Sequence, residues 1–274
     1  MYTAPFAYRR AESLDEALHL LQEHPEAKLL AGGHSLLPAM KLRLAAPSLL
    51  IDIGRLPELR GVRKEGTTLL LGAATPYSEV LASPLAREVP LLAEVISEIG
   101  DPMVRHRGTV GGSLAHADPA ADLPAAMLAL EAKLRIVGLQ GRREVSAEDF
   151  FQGMFTTALQ PGEILEAIAI PLTQGTMAYE KFPHPASRYA IVGVAAVAAP
   201  NQLRVAVTGA AERPFRLHAL ESTLSGGLSR EAIERTCHNL VSPEELLGDP
   251  SASAEYRAHL IDVLTQRALL RLLG

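Results

Sequence analysis

Two short glycine-rich segments carry the residues best suited to binding a ligand. The first runs Leu29-Leu-Ala-Gly-Gly-His-Ser-Leu36, and the second runs Arg107-Gly-Thr-Val-Gly-Gly-Ser113. A Gly-Gly step allows positive φ and admits a ligand close to the main chain, because no Cβ is in the way. Successive N–H groups in such a bend can converge on an anion. Two such segments predict one elongated anionic ligand gripped from two sides, as a dinucleotide diphosphate would be.

Ordinary turns are the alternative explanation of a glycine pair. Gly226-Gly227 illustrates it, because this pair separates two helical patterns and has no matching context for an anion site. One pair alone therefore indicates little, whereas two segments of the same type together favour a ligand site.

Catalytic side chains are scarce in recognisable arrangements. The sequence contains no dinucleotide-binding Gly-x-Gly-x-x-Gly and no Gly-Lys-Ser/Thr phosphate loop, no nucleophile elbow and no Cys or His spacing for zinc. His116-Ala-Asp118 matches part of an iron facial triad, but that site needs a distant second histidine on a β-helix, and too many helices are predicted. We therefore assign no catalytic or metal-binding residue and expect a cofactor that carries its own chemistry.

Apolar spacing predicts the elements that position the first glycine segment. Ser13-Leu-Asp-Glu16 is a capping box that opens a helix. Short apolar runs predict strands over 28–31 and 48–53. We expect an N-terminal α/β subdomain over residues 1–57, with the first glycine segment directly after a buried strand.

The rest of the chain divides into two further parts. Residues 58–172 read as a second α/β subdomain, with a helix over 90–99 that stops at Gly100 and another that opens at Asp118-Pro119. Residues 176–274 read as a C-terminal domain in which a three-stranded antiparallel sheet packs on a helical bundle. The predicted fold class is α+β.

Composition excludes several classes of function. The chain has 274 residues, a formal net charge of −5 and no basic stripe, which argues against nucleic acid as a partner. It has no apolar run long enough for a membrane span, and its N-terminus lacks the order of a signal peptide. Cys237 is the single cysteine, so this chain cannot hold an iron–sulfur cluster with its own thiolates. We expect the cytoplasm as its location.

The motifs together resemble one known family. Ala31-Gly-Gly-His-Ser35, Met40-Lys-Leu-Arg43, Arg107-Gly-Thr-Val-Gly-Gly-Ser113 and Ala117-Asp-Pro-Ala-Ala-Asp122 are similar to motifs of the FAD-binding medium subunits of molybdenum hydroxylases. That family includes the carbon monoxide dehydrogenase medium subunit and the FAD domain of xanthine dehydrogenase. The likeness runs essentially from end to end and includes Tyr179-Glu-Lys-Phe182.

The resemblance implies a vanillyl-alcohol-oxidase-type FAD-binding fold of two α/β subdomains, followed by a C-terminal domain. It also implies non-covalent FAD. The positions that match flavin contacts of the family are Leu29, Leu30, Ala31, Gly32, Gly33, His34, Ser35, Leu36, Ile99, Gly100, Thr109, Val110, Gly111, Gly112, Ser113, Asp122, Leu165, Lys181 and Tyr189.

Several of these residues have ordinary alternatives. Asp122 could instead favour the first turn of a helix through the helix dipole. Lys181 could be a solvated strand lysine, and Tyr189 could be an aromatic residue at the edge of the core. Arg105 and Arg107 are equally suited to surface ion pairs, and we assign them no role.

The resemblance implies an electron-transfer function within a larger complex. An iron–sulfur small subunit with 2Fe-2S clusters would pass electrons to FAD, and a large subunit with a molybdenum cofactor would hydroxylate the substrate. The final acceptor would be NAD, a quinone or oxygen. The alternatives are a standalone FAD-dependent oxidoreductase and an assembly module that has lost its flavin.

Overall fold

An N-terminal layer places the first glycine segment at the end of a parallel strand. The computed structural model describes residues 2–200 and 202–274. The elements of this layer are β1 (Ala7–Arg10), α1 (Leu14–Glu23), β2 (Lys28–Leu30), α2 (Leu36–Lys41) and β3 (Leu49–Asp52). The strands form a parallel sheet in the order β1-β3-β2. The predicted helix start is present, because Ser13 Oγ accepts from Glu16 N over 3.1 Å. The second bond differs from that of a capping box, since Glu16 Oε2 accepts from Glu12 N over 2.7 Å and not from Ser13 N.

A second layer is built on a five-stranded antiparallel sheet in the order β4-β5-β10-β6-β7. Its elements are β4 (Val62–Glu65), β5 (Thr68–Gly72), α3 (Tyr77–Ala82), α4 (Pro90–Ser97), α5 (Pro102–Arg107), α6 (Val110–His116), α7 (Leu123–Ala129), β6 (Lys133–Gly138), β7 (Gly141–Ser146), α8 (Ala147–Phe150), β8 (Phe151–Gly153), β9 (Thr156–Thr157) and β10 (Ile164–Pro171). Helix α7 is buried along its whole length. The N-terminal layer packs on this sheet, because its core cluster includes Val137 and Ile164.

The helix predicted to open at Asp118-Pro119 begins later, at Leu123. Asp118 instead forms a turn, in which its Oδ1 accepts from Ala120 N over 2.9 Å and its carbonyl accepts from Ala121 N over 3.0 Å. An aspartate followed by proline is suited to such a turn as well as to a helix start. Because the helix begins later than predicted, Asp122 is the residue directly before it.

The C-terminal part contains four antiparallel strands, and the prediction of three was wrong. Its elements are β11 (Thr176–Pro183), β12 (Ala190–Ala199), β13 (Gln202–Thr208), β14 (Phe215–Arg216), α9 (His218–Thr223), α10 (Arg230–Thr236) and α11 (Ala254–Arg271). Strand β14 pairs with β13 through Ala206↔Arg216 and Val207↔Phe215. Two residues are too few to show an alternating pattern, so the sequence carries no signal for this strand. Helix α11 packs against β11 and β12.

Hydrogen bonds to backbone carbonyls connect the C-terminal sheet to the turn before α7. Gly209 N donates to Pro119 O over 2.8 Å, and Ala190 N donates to Ala120 O over 3.1 Å. The Thr208 hydroxyl donates to Ala121 O over 2.7 Å. These bonds hold the residue that follows, Asp122, against the sheet.

A membrane-spanning helix and a metal-binding cluster are both absent from the part of the chain that the structure describes. Within residues 2–200 and 202–274, no helix combines the length and the apolar character that a bilayer span requires. The same residues contain no group of three or more His, Cys, Asp or Glu side chains placed to hold a metal ion.

Candidate functional site

The first glycine segment is a bend between β2 and α2 with exposed amide groups. Gly33 has φ +77°, a conformation that strongly favours glycine. In the part of the chain that the structure describes, the N–H groups of residues 32–36 donate to no protein acceptor. Successive unpaired N–H groups on a bend form a concave site for an anion. Anion binding at this segment stays a prediction, for which these unpaired amides are the donors available.

The second glycine segment differs from the prediction, because it is the first turn of helix α6. Thr109 is the N-cap residue, and its Oγ1 accepts from Gly112 N over 3.2 Å. Gly111 and Gly112 do not have positive φ. Gly111 is required for another reason, since a Cβ there would lie 2.4 Å from Ala73 Cβ and 2.6 Å from Ala73 Cα. Glycine at this position permits close packing rather than an unusual backbone conformation.

The amides of the second segment already have partners within the protein. Val110 N donates to Thr75 O over 3.1 Å, Gly111 N donates to Ala73 O over 2.8 Å, and Ser113 N donates to Thr109 O over 3.1 Å. Val110 and Gly111 are buried, whereas Gly112 is exposed and Ser113 is half-buried. This segment therefore presents a hydroxyl group and a glycine surface to a ligand, and the first segment supplies the unpaired N–H groups.

The structure brings the two segments into direct contact. A Cβ on Gly32 would lie 2.1 Å from Arg107 O and 3.0 Å from Gly108 Cα. His34 Nε2 lies 3.2 Å from Met103 O, and because a carbonyl only accepts, the ring nitrogen donates in this bond. The predicted proximity of the two segments is thus present, and Gly32 makes it possible.

Asp122 and Lys181 form a buried ion pair between the start of α7 and strand β11. Lys181 Nζ lies 2.8 Å from Asp122 Oδ1 and 3.0 Å from Oδ2, and the two side chains are 2% and 6% exposed respectively. Lys181 is therefore not a solvated strand lysine. Asp122 stands at the N-cap position of α7, but its carboxylate accepts no hydrogen bond from the helix amides. The structure thus excludes the alternative for Lys181, whereas Asp122 at the N-cap position is also placed to interact with the dipole of α7.

Tyr179 completes this cluster, and sequence analysis did not identify it. Its hydroxyl donates to Asp122 Oδ1 over 2.6 Å. Burial raises the pKa of Asp122, while the charge of Lys181 and the hydrogen bonds from Lys181 and Tyr179 oppose that rise. Burial also raises the pKa of Tyr179 well above its usual value, so its hydroxyl remains a donor. Since alternate strand residues share a face, the spacing of Tyr179 and Lys181 was the available signal.

Ile99 and Gly100 lie at the end of α4, close to the same ion pair. Gly100 has φ +45°. Lys181 Nζ donates to Glu98 O over 3.1 Å, which ties the ammonium group to this turn. Arg105 Nη1 donates to Ile99 O over 2.8 Å, so Arg105, which had no assigned role, stabilises the turn.

Tyr189 and Leu165 occupy opposite environments. Tyr189 is 42% exposed, and Ser35 in the first glycine segment is near enough to influence its hydroxyl. Burial of its ring raises the pKa of Tyr189, the negative charge of Asp118 adds to the rise, and the Ser35 contact opposes it. Leu165 is 5% exposed and belongs to the main hydrophobic core, so it contributes an apolar base rather than a surface contact.

The remaining predicted contacts are the apolar residues of the first segment itself. Leu29, Leu30, Ala31 and Leu36 are half-buried. Two clefts of about 450 Å³ and 370 Å³ lie elsewhere on the surface, and their lining includes none of the predicted contacts. The larger cleft contains Arg142 and Arg143, which already pair with Glu166 and Glu163. We therefore take the glycine segments as the candidate site.

Two family models together match nearly the whole chain. Residues 4–173 match the family described as the FAD binding domain in molybdopterin dehydrogenase. Residues 177–272 match the family described as the CO dehydrogenase flavoprotein C-terminal domain.

Similar proteins cover nearly their full length and that of this chain. The carbon monoxide dehydrogenase medium chain of Hydrogenophaga pseudoflava is 40% identical over 96% of each chain. The glyceraldehyde dehydrogenase medium chain of Sulfolobus acidocaldarius is 35% identical over 98% of each. In the solved structure of the Hydrogenophaga pseudoflava carbon monoxide dehydrogenase that lacks the Mo-pyranopterin moiety, one chain superposes with a TM-score of 0.93, at 38% identity, covering 100% of this chain and 99% of that one. The chain belongs to the family of FAD-binding medium subunits of molybdenum hydroxylases.

Proposed function

We propose that this chain carries FAD non-covalently and transfers electrons within a molybdenum hydroxylase-type dehydrogenase complex. The observation that carries the proposal is the contact between the two glycine segments at Gly32 and Arg107. It places the unpaired amides of residues 32–36 next to the N-terminal turn of α6. Membership of an oxidoreductase family with an FAD-binding domain supports the same assignment.

The diphosphate of FAD is the group best suited to the first segment. It carries about two negative charges, and hydrogen bonds to a charged group contribute roughly 1.5–3 kcal/mol each. The amides of residues 32–36 would hold it, and the Ser113 hydroxyl on α6 would add a donor. Leu29, Leu30 and Leu165 would form the apolar surroundings of the ring systems. We retain all nineteen predicted contacts as proposals.

When bound, FAD supplies the exchange between two-electron and one-electron partners. The chain's own residues bind the cofactor, orient it and limit access of water. The Asp122–Lys181 pair fixes a charge arrangement beside the glycine segments. Tyr189, half covered and next to Ser35, stands at the entrance to them.

The proposal includes partner subunits that hold the metal centres. Cys237 is the single thiol and is 1% exposed, so iron–sulfur clusters would be held by a small subunit and the molybdenum cofactor by a large subunit. We propose NAD, a quinone or oxygen as the final acceptor and the cytoplasm as the location. We also propose 1–57, 58–172 and 176–274 as the domain boundaries.

The visible spectrum of the purified protein tests the function. We expect the absorption of oxidised flavin and a ratio approaching one FAD per chain after incubation with FAD. A protein that neither retains nor takes up FAD would be an assembly module. Affinity purification tests the partners, because companion iron–sulfur and molybdenum chains are expected with it, whereas substrate oxidation by the chain alone would identify a standalone oxidoreductase.

A further inference from the structure

In the C-terminal sheet, the missing side chain of a glycine leaves room for the hydroxyl group of Tyr179. Strand β12 carries Gly193 opposite Lys181, and a Cβ on Gly193 would lie 2.4 Å from the Tyr179 hydroxyl oxygen. Any other residue at position 193 would push the ring or the hydroxyl away. The fold therefore accommodates the oxygen atom specifically, and that oxygen donates to Asp122 over 2.6 Å.

The backbone of Tyr179 is held on both sides as well. Its N–H donates to Glu94 Oε2 on α4 over 2.7 Å. Its carbonyl accepts from Arg271 Nη1 on α11 over 2.9 Å. Arg271 also pairs with Glu94 and with Glu180. Two helices from different parts of the chain thus fix the position of this one residue.

Asp122, the partner of the hydroxyl, is connected to the candidate site through Lys181. Lys181 Nζ binds the Asp122 carboxylate and donates to Glu98 O over 3.1 Å, in the turn that follows α4. Arg105 on α5 donates to Ile99 O in the same turn, and the backbone of Arg107, the last residue of α5, meets Gly32 of the first segment. The position of the Asp122–Lys181 pair is therefore coupled to the place where the two glycine segments meet.

We propose that Tyr179 is a positioning residue, which fixes the Asp122 carboxylate and its Lys181 partner toward the glycine segments and thereby sets the affinity for FAD. The inference rests on the proposed function. Tyr179 acts through Asp122 and is itself 5% exposed. A carboxylate that loses one hydrogen-bond donor regains rotational freedom. FAD binding must then offset the entropy cost of ordering that carboxylate again.

A double-mutant cycle with FAD titration tests the inference. Tyr179→Phe removes one hydrogen bond to a charged group, so we expect roughly 10- to 100-fold weaker FAD binding by the folded protein. Tyr256→Phe on α11, where the side chain is 42% exposed, is the matched control and should change the affinity by less than about twofold. In an Asp122→Ala background, which has no side-chain acceptor for the hydroxyl, Tyr179→Phe should cause less than about a twofold further change, because both substitutions remove the same interaction.

The outcomes separate this inference from the proposed function. Wild-type protein that binds no FAD overturns both. Wild-type binding with an unchanged Tyr179→Phe affinity, or with the same loss in the Asp122→Ala background, overturns the inference alone. If Tyr179→Phe does not fold, Gly193→Ala takes its place, because the added methyl group displaces the hydroxyl; it should weaken FAD binding at least about tenfold, and an unchanged affinity contradicts the inference.

Discussion

At the residue scale, the buried Asp122–Lys181 pair has an energetic consequence that exposed pairs lack. Moving two charges out of water is costly, and their attraction offsets that cost only while both are present. Tyr179 and Glu98 O supply the additional hydrogen bonds that such a pair needs. Removal of one partner therefore leaves an uncompensated buried charge.

Lys181→Met should lower the free energy of unfolding by about 3–5 kcal/mol, because it leaves Asp122 buried without a counter-charge. The matched control is Lys64→Met, which removes a pair with Glu88 over 2.7 Å in which both side chains are about 40% exposed. Exposed pairs contribute about 0–1 kcal/mol. Urea unfolding of the two variants measures the difference, and equal losses would show that the Asp122 pair is not buried.

The loss of unfolding free energy caused by Lys181→Met should depend on pH. Burial raises the pKa of Asp122 and the lysine opposes that rise, so removing the lysine raises this pKa further. A carboxyl whose folded-state pKa exceeds its unfolded value of ~3.9 stabilises the fold below that value. The contribution is lost as pH rises through the folded pKa. We expect the deficit of the variant to grow from acid to neutral pH, and a constant deficit would contradict this reasoning.

Cys237 should behave as an inert structural thiol. Burial raises the pKa of Cys237 to about 11, whereas an unfolded thiol ionises near ~8.5. The folded thiol should therefore react with a disulfide reagent at neutral pH only after denaturant is added. The stability that the buried thiol contributes is fully present below the pKa of the unfolded thiol. It declines as pH rises toward about 11, the pKa of the folded thiol. Fast labelling of the native protein would contradict this placement of the thiol. Cys237→Ala should remove the decline in stability at high pH.

At the scale of elements, the glycine pairs act through different physical causes. Gly33 supports a bend with positive φ, Gly32 allows the backbone at Arg107 to approach, and Gly111 allows α6 to pack on Ala73. The sequence predicted two loops of one type. The helical start at Thr109 was not predicted because glycine has low helix propensity, and the threonine cap overcomes it with a side-chain hydrogen bond.

Gly111→Ala tests the packing of α6. The added Cβ would meet backbone atoms of Ala73 that cannot rotate away, and overpacking of this kind costs about 1–3 kcal/mol or more. The shifted helix would also carry Ser113 away from the ligand, so FAD retention should fall. Gly226→Ala is the control, since nothing lies within 4 Å of its Cβ position, and the expected change is within about 0.5 kcal/mol. Thermal unfolding and flavin content measure both effects, and a neutral Gly111→Ala would contradict the packing argument.

At the scale of the whole molecule, the sequence motifs identified the family and its fold class, and both were confirmed. Strand β14 was not predicted because its two residues are too few to show an alternating pattern, and the role of Tyr179 was not predicted because it depends on a contact between distant parts of the chain. Tyr179 meets Asp122 across 57 positions of sequence. Local periodicity reports which face a residue occupies, but it does not identify the residue that it meets there.

The central claim is that the amides of residues 32–36 and the start of α6 together hold the diphosphate of FAD. A crystal structure of the chain with FAD tests it most directly. We predict diphosphate oxygens within hydrogen-bonding distance of the N–H groups of residues 32–36, with Ser113 on the opposite side and the Asp122–Lys181 pair intact. FAD bound with its diphosphate away from Gly32 and Gly33 would contradict the account.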